Sequence, residues 1–151
     1  MKIALGCDHA GYELKETVKE YLEAENHDYF DFGTFGASSI DYPDIASTVA
    51  NNVIGNEFTT GILICGTGVG VSIVANKIPG IRAALCGDTF TARASRQHND
   101  ANILTMGSRV TGSGLALDIV AAFLGAGFQG GRHQRRVEKI GLYEKMEESQ
   151  L

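Results

Sequence analysis

The segment that most constrains the fold is residues 61–65 (GILIC), a short apolar run directly before a glycine-rich turn. Its side chains are apolar on both alternations, which is typical of a strand that is covered on both faces. Strands of this kind occur in parallel sheets with helices on either side. The segment therefore predicts a buried strand of an α/β domain.

Short apolar runs alternate with amphipathic segments along the rest of the chain. The five predicted strands are residues 2–6, 28–32, 61–65, 81–85 and 102–106. Helices are predicted over the apolar stripe at 14–22, from Pro43 to just before Gly55, and over 71–77, 89–98, 115–124 and 132–148. Strands separated by helices imply right-handed crossovers, so we expect a three-layer α/β sandwich with a mostly parallel sheet.

Composition bounds the class of protein. With 151 residues, of which 44% are hydrophobic, the chain can bury one core, and we expect a single domain over residues 1–151. No run of 18 apolar residues and no signal peptide are evident, so we expect a cytoplasmic protein. Cys7, Cys65 and Cys86 lack CxxC spacing and are interpreted as free thiols. A net charge of -5 disfavours nucleic acid as a partner.

Ligands of open parallel sheets bind beyond the carboxyl ends of the strands. Reactive side chains follow four predicted strands, in residues 6–9, 65–70, 86–88 and 107–109. We therefore expect the functional site along this edge.

The glycine turn after the third strand is the first candidate site. Gly66, Gly68 and Gly70 permit positive φ and close approach of a ligand, and the amides that follow can hold a phosphate or an oxyanion. The spacing matches neither a P-loop nor GxGxxG. A tight turn without a ligand is the alternative.

Cys65 stands directly before this turn. Oriented amides favour a thiolate, which could act as a base or a nucleophile. The alternative interpretation is a small apolar side chain that ends a buried strand.

Two histidines are candidates for proton transfer near neutral pH. His98 is followed by Asn99 and Asp100, either of which could hold its ring, and His9 is preceded by Asp8. We expect both histidines near the ligand edge, with packed or surface histidines as the alternative.

Three arginines could bind a phosphate dianion through forked hydrogen bonds. These are Arg109, together with Arg132 and Arg136 on one face of the last helix. The alternative is a solvated basic face, and the last helix could also serve a neighbouring subunit.

Seven motifs together resemble one family, the type B ribose-5-phosphate isomerases, which also includes galactose- and allose-6-phosphate isomerases. They are CDHAG (7–11), DYPD (41–44), ILICGTGVG (62–70), NKIPGIRAA (76–84), SRQHNDAN (95–102), GSRV (107–110) and GGRHQRRV (130–137). The resemblance implies an aldose-ketose isomerase of ribose 5-phosphate and ribulose 5-phosphate that needs no metal or other cofactor. It also implies a Rossmann-like fold and a homodimer or dimer of dimers, with the C-terminal helix extending toward a partner subunit.

The resemblance also implies roles for individual residues. Cys65 matches the base that moves a proton between C1 and C2, His98 the residue that helps to open the furanose ring, and Thr67 a residue that assists at the reacting oxygens. The implied substrate contacts are Asp8, His9, Gly66, Gly68, Val69, Gly70, Asn99, Arg109, Arg132 and Arg136, some of them from the partner subunit. Arg135 receives no role.

Three other functions stay open at this stage. The same motifs fit an isomerase of a six-carbon sugar phosphate, and the glycines and arginines fit a phosphosugar-binding module without chemistry. A metal hydrolase could use Asp8, His9, His98 and Cys65, although their spacing gives it little support.

Overall fold

A computed structural model of the chain contains one five-stranded sheet in which every neighbouring pair is parallel. The structure describes residues 1–55 and 57–148. The strands are β1 (Lys2–Cys7), β2 (Asp28–Asp31), β3 (Thr60–Cys65), β4 (Ala83–Leu85) and β5 (Ile103–Gly107). Their order across the sheet is β2-β1-β3-β5-β4, so β3 is central and β4 lies at an edge.

Helices cover both faces of the sheet, as predicted. They are α1 (Tyr12–Ala24), α2 (Tyr42–Ile54), α3 (Val69–Ala75), α4 (Thr89–Asn99), α5 (Ser113–Leu124) and α6 (Arg132–Glu148), with a 3-10 turn at His9–Gly11. One core cluster joins α1, α4 and α5 to the sheet, and a second joins α2 and α3 to the opposite face. The α6 helix packs on α4, outside these layers. The three-layer, Rossmann-like α/β sandwich is confirmed.

The central strand follows from its sequence. All six residues of β3 are buried. Ile62 and Ile64 belong to the core under α1 and α5, whereas Leu63 and Cys65 belong to the core under α2 and α3. Successive side chains of a strand point to opposite faces, so a strand buried on both sides must be apolar throughout.

Several boundaries differ by one or two residues from the sequence-based expectations, among them the starts of α3 and β4. The α3 helix begins at Val69 rather than near residue 71, because Gly68 adopts φ +78 and redirects the chain immediately before it. The β4 strand begins at Ala83 rather than at residue 81. Arg82 instead donates its N–H to the Asn102 side chain at 2.8 Å, in the turn that precedes the strand.

The last helix occupies the predicted range, 132–148. A single domain over residues 1–151 stays a prediction, since residues 56 and 149–151 lie outside the described part. Among the helices of the described residues, none combines the length and the apolar character that a membrane span requires.

Candidate active site

Three loops meet at the carboxyl edge of the sheet and are tied together by hydrogen bonds. The Asp8 N–H donates to the Ile64 carbonyl at 3.2 Å, and the Ser108 N–H donates to the Cys65 carbonyl at 2.9 Å. The Ser108 hydroxyl also donates to the carbonyl of Ala10 at 2.7 Å. The loops after β1, β3 and β5 therefore form one continuous surface, as the sequence predicted.

Two glycines allow this close approach. A Cβ on Gly11 would lie 2.5 Å from the Ile64 carbonyl oxygen, and a Cβ on Gly107 would lie 2.5 Å from the Thr67 carbonyl carbon. Both obstacles are backbone atoms, which cannot move aside as a flexible side chain would. Any larger residue would therefore push the loops apart.

Cys65 ends β3 at the mouth of the glycine turn. Its side chain is buried, with 4% of the residue exposed, and its Sγ accepts a hydrogen bond from the Gly68 N–H at 3.1 Å. The Gly68 carbonyl in turn accepts from the Thr105 hydroxyl at 3.0 Å. Thr105 of β5 therefore holds the glycine turn in place, and the turn holds the Cys65 sulfur.

Polar groups surround the turn. The Val69 N–H donates to the Thr67 hydroxyl oxygen at 3.3 Å, and the Arg109 N–H donates to the Gly66 carbonyl at 3.0 Å. A Cβ on Gly66 would lie 3.2 Å from Nη1 of Arg109, so the guanidinium lies against the turn. The structure therefore places Thr67, Arg109 and the turn amides beside Cys65.

Asp8 and His9 lie on the neighbouring loop. The buried Asp8 carboxylate accepts from the Gly11 N–H at 3.1 Å and so caps the 3-10 turn. Nδ1 of His9 accepts a hydrogen bond from the Ile40 N–H at 3.3 Å. Both residues are at the predicted edge.

His98 lies at the other edge of the sheet, so within its own chain it is not at the predicted carboxyl edge, and its role at the ligand stays a prediction. The α4 helix starts after the carboxyl end of β4 and returns to the amino end of β5, where it ends at Asn99. Gly61 pairs with Ile103, and Cys65 pairs with Gly107. The amino and carboxyl ends of this pairing are four residues apart. At about 3.3 Å per residue, they are separated by roughly 13 Å.

Two arginines of α6 lie at the same edge of the sheet as His98. The Gln129 N–H donates to the Gln97 carbonyl at 3.1 Å, which ties the segment before α6 to the end of α4. Arg132 and Arg136, in the first turns of α6, therefore belong to the amino edge with Asn99. The predicted site residues thus form two groups at opposite edges of the sheet.

His133 stacks on His98, with ring centroids 4.4 Å apart and planes 9° from parallel. Burial lowers the pKa of His133, and the neighbouring charges of His98, Arg132 and Arg136 lower it further. These surroundings therefore favour the neutral form of His133.

Asp100 does not hold the ring of His98, as the sequence had suggested it could. Its carboxylate pairs with Arg82 at 3.2 Å and with Arg96 at 3.7 Å. These pairs fix the end of α4 instead.

Comparison with known proteins gives the family. The sequence model of the Ribose/Galactose Isomerase family matches residues 3–140. The chain belongs to this family.

Relatives from this isomerase family span nearly the whole chain. Ribose-5-phosphate isomerase B of Escherichia coli is 53% identical over 144 residues, which cover 95% of this chain and 97% of the relative. A putative sugar phosphate isomerase of Bacillus subtilis is 51% identical over 146 residues, covering 96% and 98%. The solved structure of Clostridium thermocellum ribose-5-phosphate isomerase B has a TM-score of 0.95 and 55% identity, covering 97% and 99%.

The other two cysteines of this isomerase-family chain are unsuited to act as bases. Burial raises the pKa of Cys7 to about 12 and outweighs the opposing effect of Lys15. Burial also raises the pKa of Cys86. Both therefore remain thiols near neutral pH.

Two features of the site were missed at the sequence level. Lys15 follows Leu14 in α1 and reads as an exposed helix residue, but it is fully buried against Asp31. Tyr42 lies over the glycine turn, where a Cβ on Gly70 would be 2.7 Å from its ring. The one sequence signal for the burial of Lys15 was Asp31, the acidic residue at the end of β2 that pairs with it.

A metal hydrolase finds no support in the part of the chain that the structure describes. No three His, Cys, Asp or Glu side chains come together there as metal ligands would.

A cavity of about 520 Å³ lies at the amino edge of the sheet, away from Cys65. It is lined by Arg82, Asn99 and Tyr143 among others.

Proposed function

We propose that this chain is an aldose-ketose isomerase that interconverts D-ribose 5-phosphate and D-ribulose 5-phosphate through an enediolate. The observation that carries the proposal is the Cys65 sulfur, which the Gly68 amide holds at the mouth of the glycine turn. The names of the Escherichia coli and Clostridium thermocellum relatives support the choice of substrate.

In this proposal Cys65 removes the proton of C2 from the open-chain aldose and returns it to C1. The negative charge that develops on the sugar oxygen must be met by fixed donors, and the Thr67 hydroxyl lies in the turn that holds the sulfur. Loss of one such donor typically raises the barrier by about 3 kcal/mol. The turn should therefore matter nearly as much as the thiol.

The phosphate would be bound by arginines. Forked guanidinium groups suit a dianion, and binding energy from this remote group orients C1 and C2 against the base. Arg109 lies against the turn at Gly66, whereas Arg132 and Arg136 lie at the opposite edge. One chain therefore offers only part of the phosphate site.

We infer a homodimer, or a dimer of dimers, from this separation. Cys65 and His98 are roughly 13 Å apart along the strand direction alone, too far to act on adjacent atoms of one sugar. In a two-fold dimer the partner subunit's His98 would open the furanose ring beside Cys65, and the partner subunit's Asn99, Arg132 and Arg136 would complete the substrate contacts.

Exposed apolar side chains support such an interface. Large apolar residues are exposed beside the edge strand β4 and along α6. They are Val69, Ile73, Leu85 and Phe90 beside the strand, and Ile140, Leu142, Tyr143 and Met146 on the helix. Apolar patches of this kind are typical of surfaces that pair with a protein.

Replacement of Cys65 by alanine tests the proposal, with Cys86→Ala as the matched control. Turnover of ribose 5-phosphate should fall at least about 100-fold in Cys65→Ala, the usual minimum for loss of a general base. Binding of the substrate should persist, and Cys86→Ala should keep its activity.

Three outcomes would contradict this proposal. Retained turnover in Cys65→Ala would remove the cysteine mechanism. A wild-type protein that binds ribose 5-phosphate without converting it would be a binding module. Tenfold better turnover of allose 6-phosphate would make the six-carbon sugar the substrate.

The cytoplasmic location expected from the sequence stays a prediction.

A further inference from the structure

Lys15 is a charged residue inside the protein. It is 0% exposed, and its ammonium nitrogen lies 2.7 Å from each of three acceptors, the two carboxylate oxygens of Asp31 and the carbonyl of Thr34. An ammonium group has three N–H donors. Every donor of Lys15 is therefore used.

Stability alone does not account for this pair. A buried ion pair loses so much hydration that apolar side chains of similar volume commonly serve a fold as well or better. Burial by itself raises the pKa of Asp31, but hydrogen bonds from Lys15, the Gly33 N–H and Lys19 outweigh it and lower the pKa. The Asp31 carboxylate is thus ionised near neutral pH. The third N–H of Lys15 is bonded outside the ion pair, to the Thr34 carbonyl.

That third bond fixes one end of a loop, where the Thr34 N–H also donates to the Cys7 carbonyl at 2.8 Å and the Cys7 N–H donates to the Gly33 carbonyl at 2.7 Å. Thr34 starts the loop 34–41, which is the larger part of the connection from β2 to α2, and the Phe35 ring centroid lies 5.0 Å from the Lys15 nitrogen. Near the other end, the Ile40 N–H donates to Nδ1 of His9. The loop therefore links the buried ammonium to His9.

The bond from Ile40 also selects one tautomer of the neutral His9 ring. A backbone N–H can only donate, so Nδ1 must be the acceptor nitrogen. The neutral ring then carries its proton on Nε2. His9 is in this way held as a hydrogen-bond donor through Nε2.

We propose that Lys15 is a positioning residue for His9. Through the Thr34 carbonyl it holds the loop 34–41, and through the Ile40 N–H the loop holds His9 with its Nε2–H available to the sugar phosphate. This inference rests on the proposed function, in which His9 contacts the substrate.

The test compares Lys15→Met with Lys19→Met. Lys19 is the matched control because it pairs with the same Asp31 carboxylate, at 3.1 Å, but its other bond is to Glu16. Lys15→Met should raise KM for ribose 5-phosphate by about tenfold, with a smaller change in kcat, because a substrate contact is misplaced. Lys19→Met should stay within about twofold of wild type.

Nitrogen-15 NMR of the free protein gives a second measurement that needs no turnover. Wild type and Lys19→Met should show His9 protonated on Nε2 alone, whereas Lys15→Met should show a mixture of the two neutral forms. A merely structural role for Lys15 would lower the melting temperature without changing the His9 signal.

A second pair of variants acts on the loop without touching the buried ion pair. Ile40→Pro removes the N–H that donates to His9, whereas Ile40→Ala keeps it and removes only the side chain. Ile40→Pro should reproduce the rise in KM, and Ile40→Ala should not. If Lys15→Met does not fold, this pair still tests the proposal, because an unchanged KM in Ile40→Pro would overturn it.

The proposal is overturned if His9 carries its proton on Nδ1 in wild type. It is also overturned if Lys15→Met or Ile40→Pro keeps the wild-type KM, or if Lys19→Met changes KM as much as Lys15→Met. If no sugar phosphate is converted at all, the proposed function fails, while the NMR comparison still decides whether Lys15 controls His9.

Discussion

Two inactive variants should regain activity when they are mixed, because the carboxyl-edge group and the amino-edge group of one chain cannot meet. Cys65→Ala removes the proposed base, and His98→Asn removes the proposed ring-opening residue. Each variant alone should convert ribose 5-phosphate poorly, since each of its sites lacks one of the two groups.

The recovered activity can be worked out from the geometry. Cys65 and His98 lie at opposite edges of the sheet, roughly 13 Å apart along the strand direction, so in the proposed dimer each site would combine Cys65 of one subunit with the partner subunit's His98. Random mixing gives one half mixed dimers, and each of these has one intact site and one doubly altered site. About a quarter of all sites should therefore be wild type.

The assay measures ribulose 5-phosphate formation from ribose 5-phosphate after the two variants are unfolded together and refolded. Cys65→Ala mixed with Thr67→Ala is the control. Thr67 lies in the same turn as Cys65, so every site of that mixture keeps at least one defect. Recovery near a quarter of wild-type activity is expected in the first mixture and none in the control.

Absence of recovery in the first mixture would refute the reasoning, provided that the refolded protein is dimeric. It would mean that Cys65 and His98 act within one chain. Equal recovery in both mixtures would instead indicate that the activity comes from outside the proposed site.

Two further predictions concern the frame around the site. Gly107→Ala would place a Cβ 2.5 Å from the Thr67 backbone. We therefore expect a loss of about 2 kcal/mol of unfolding free energy, measured in urea, and at least tenfold lower kcat. The control is Gly127→Ala, which has open space around its Cβ and should behave as wild type in urea unfolding and turnover. The second concerns Asp31. Partial burial raises the pKa of its carboxyl group, but hydrogen bonds from Lys15, the Gly33 N–H and Lys19 outweigh this effect and lower the pKa below 3.8. Its contribution to stability is present above that value and is lost as pH falls through the lower pKa of the folded state. Asp31→Asn should therefore be less stable at pH 7 but should lose less further stability between pH 4 and pH 2 in urea titrations, and an unchanged acid limb would contradict this assignment.

Much of the fold could be predicted because its signals are local. The apolar run at 61–65 is buried on both faces, and Pro43 and Gly55 mark the start and end of α2 to within a residue. Cys65 and Gly107 were both expected at the carboxyl edge, and they pair in adjacent strands. Strand direction and loop position follow once the order of strands and helices is known.

Errors arose where local sequence does not encode position in space. His98, at the end of a helix before a strand, was expected near the ligand edge, yet a helix that returns from β4 to β5 must end at the amino edge. Lys15 was overlooked because a charged residue on an amphipathic helix usually faces water. Its burial depends on Asp31, sixteen residues away on β2.

The sequence by itself determined the alternation of strands and helices, the glycine turn after β3 and the set of reactive side chains. Those properties depend on hydrophobic periodicity and on the backbone freedom of glycine, both of which act over a few residues. The tertiary structure alone decided which reactive groups share an edge and which lie a strand length apart. It also decided that an ammonium group lies in the interior and holds the loop that binds His9, because such pairings depend on how distant segments pack.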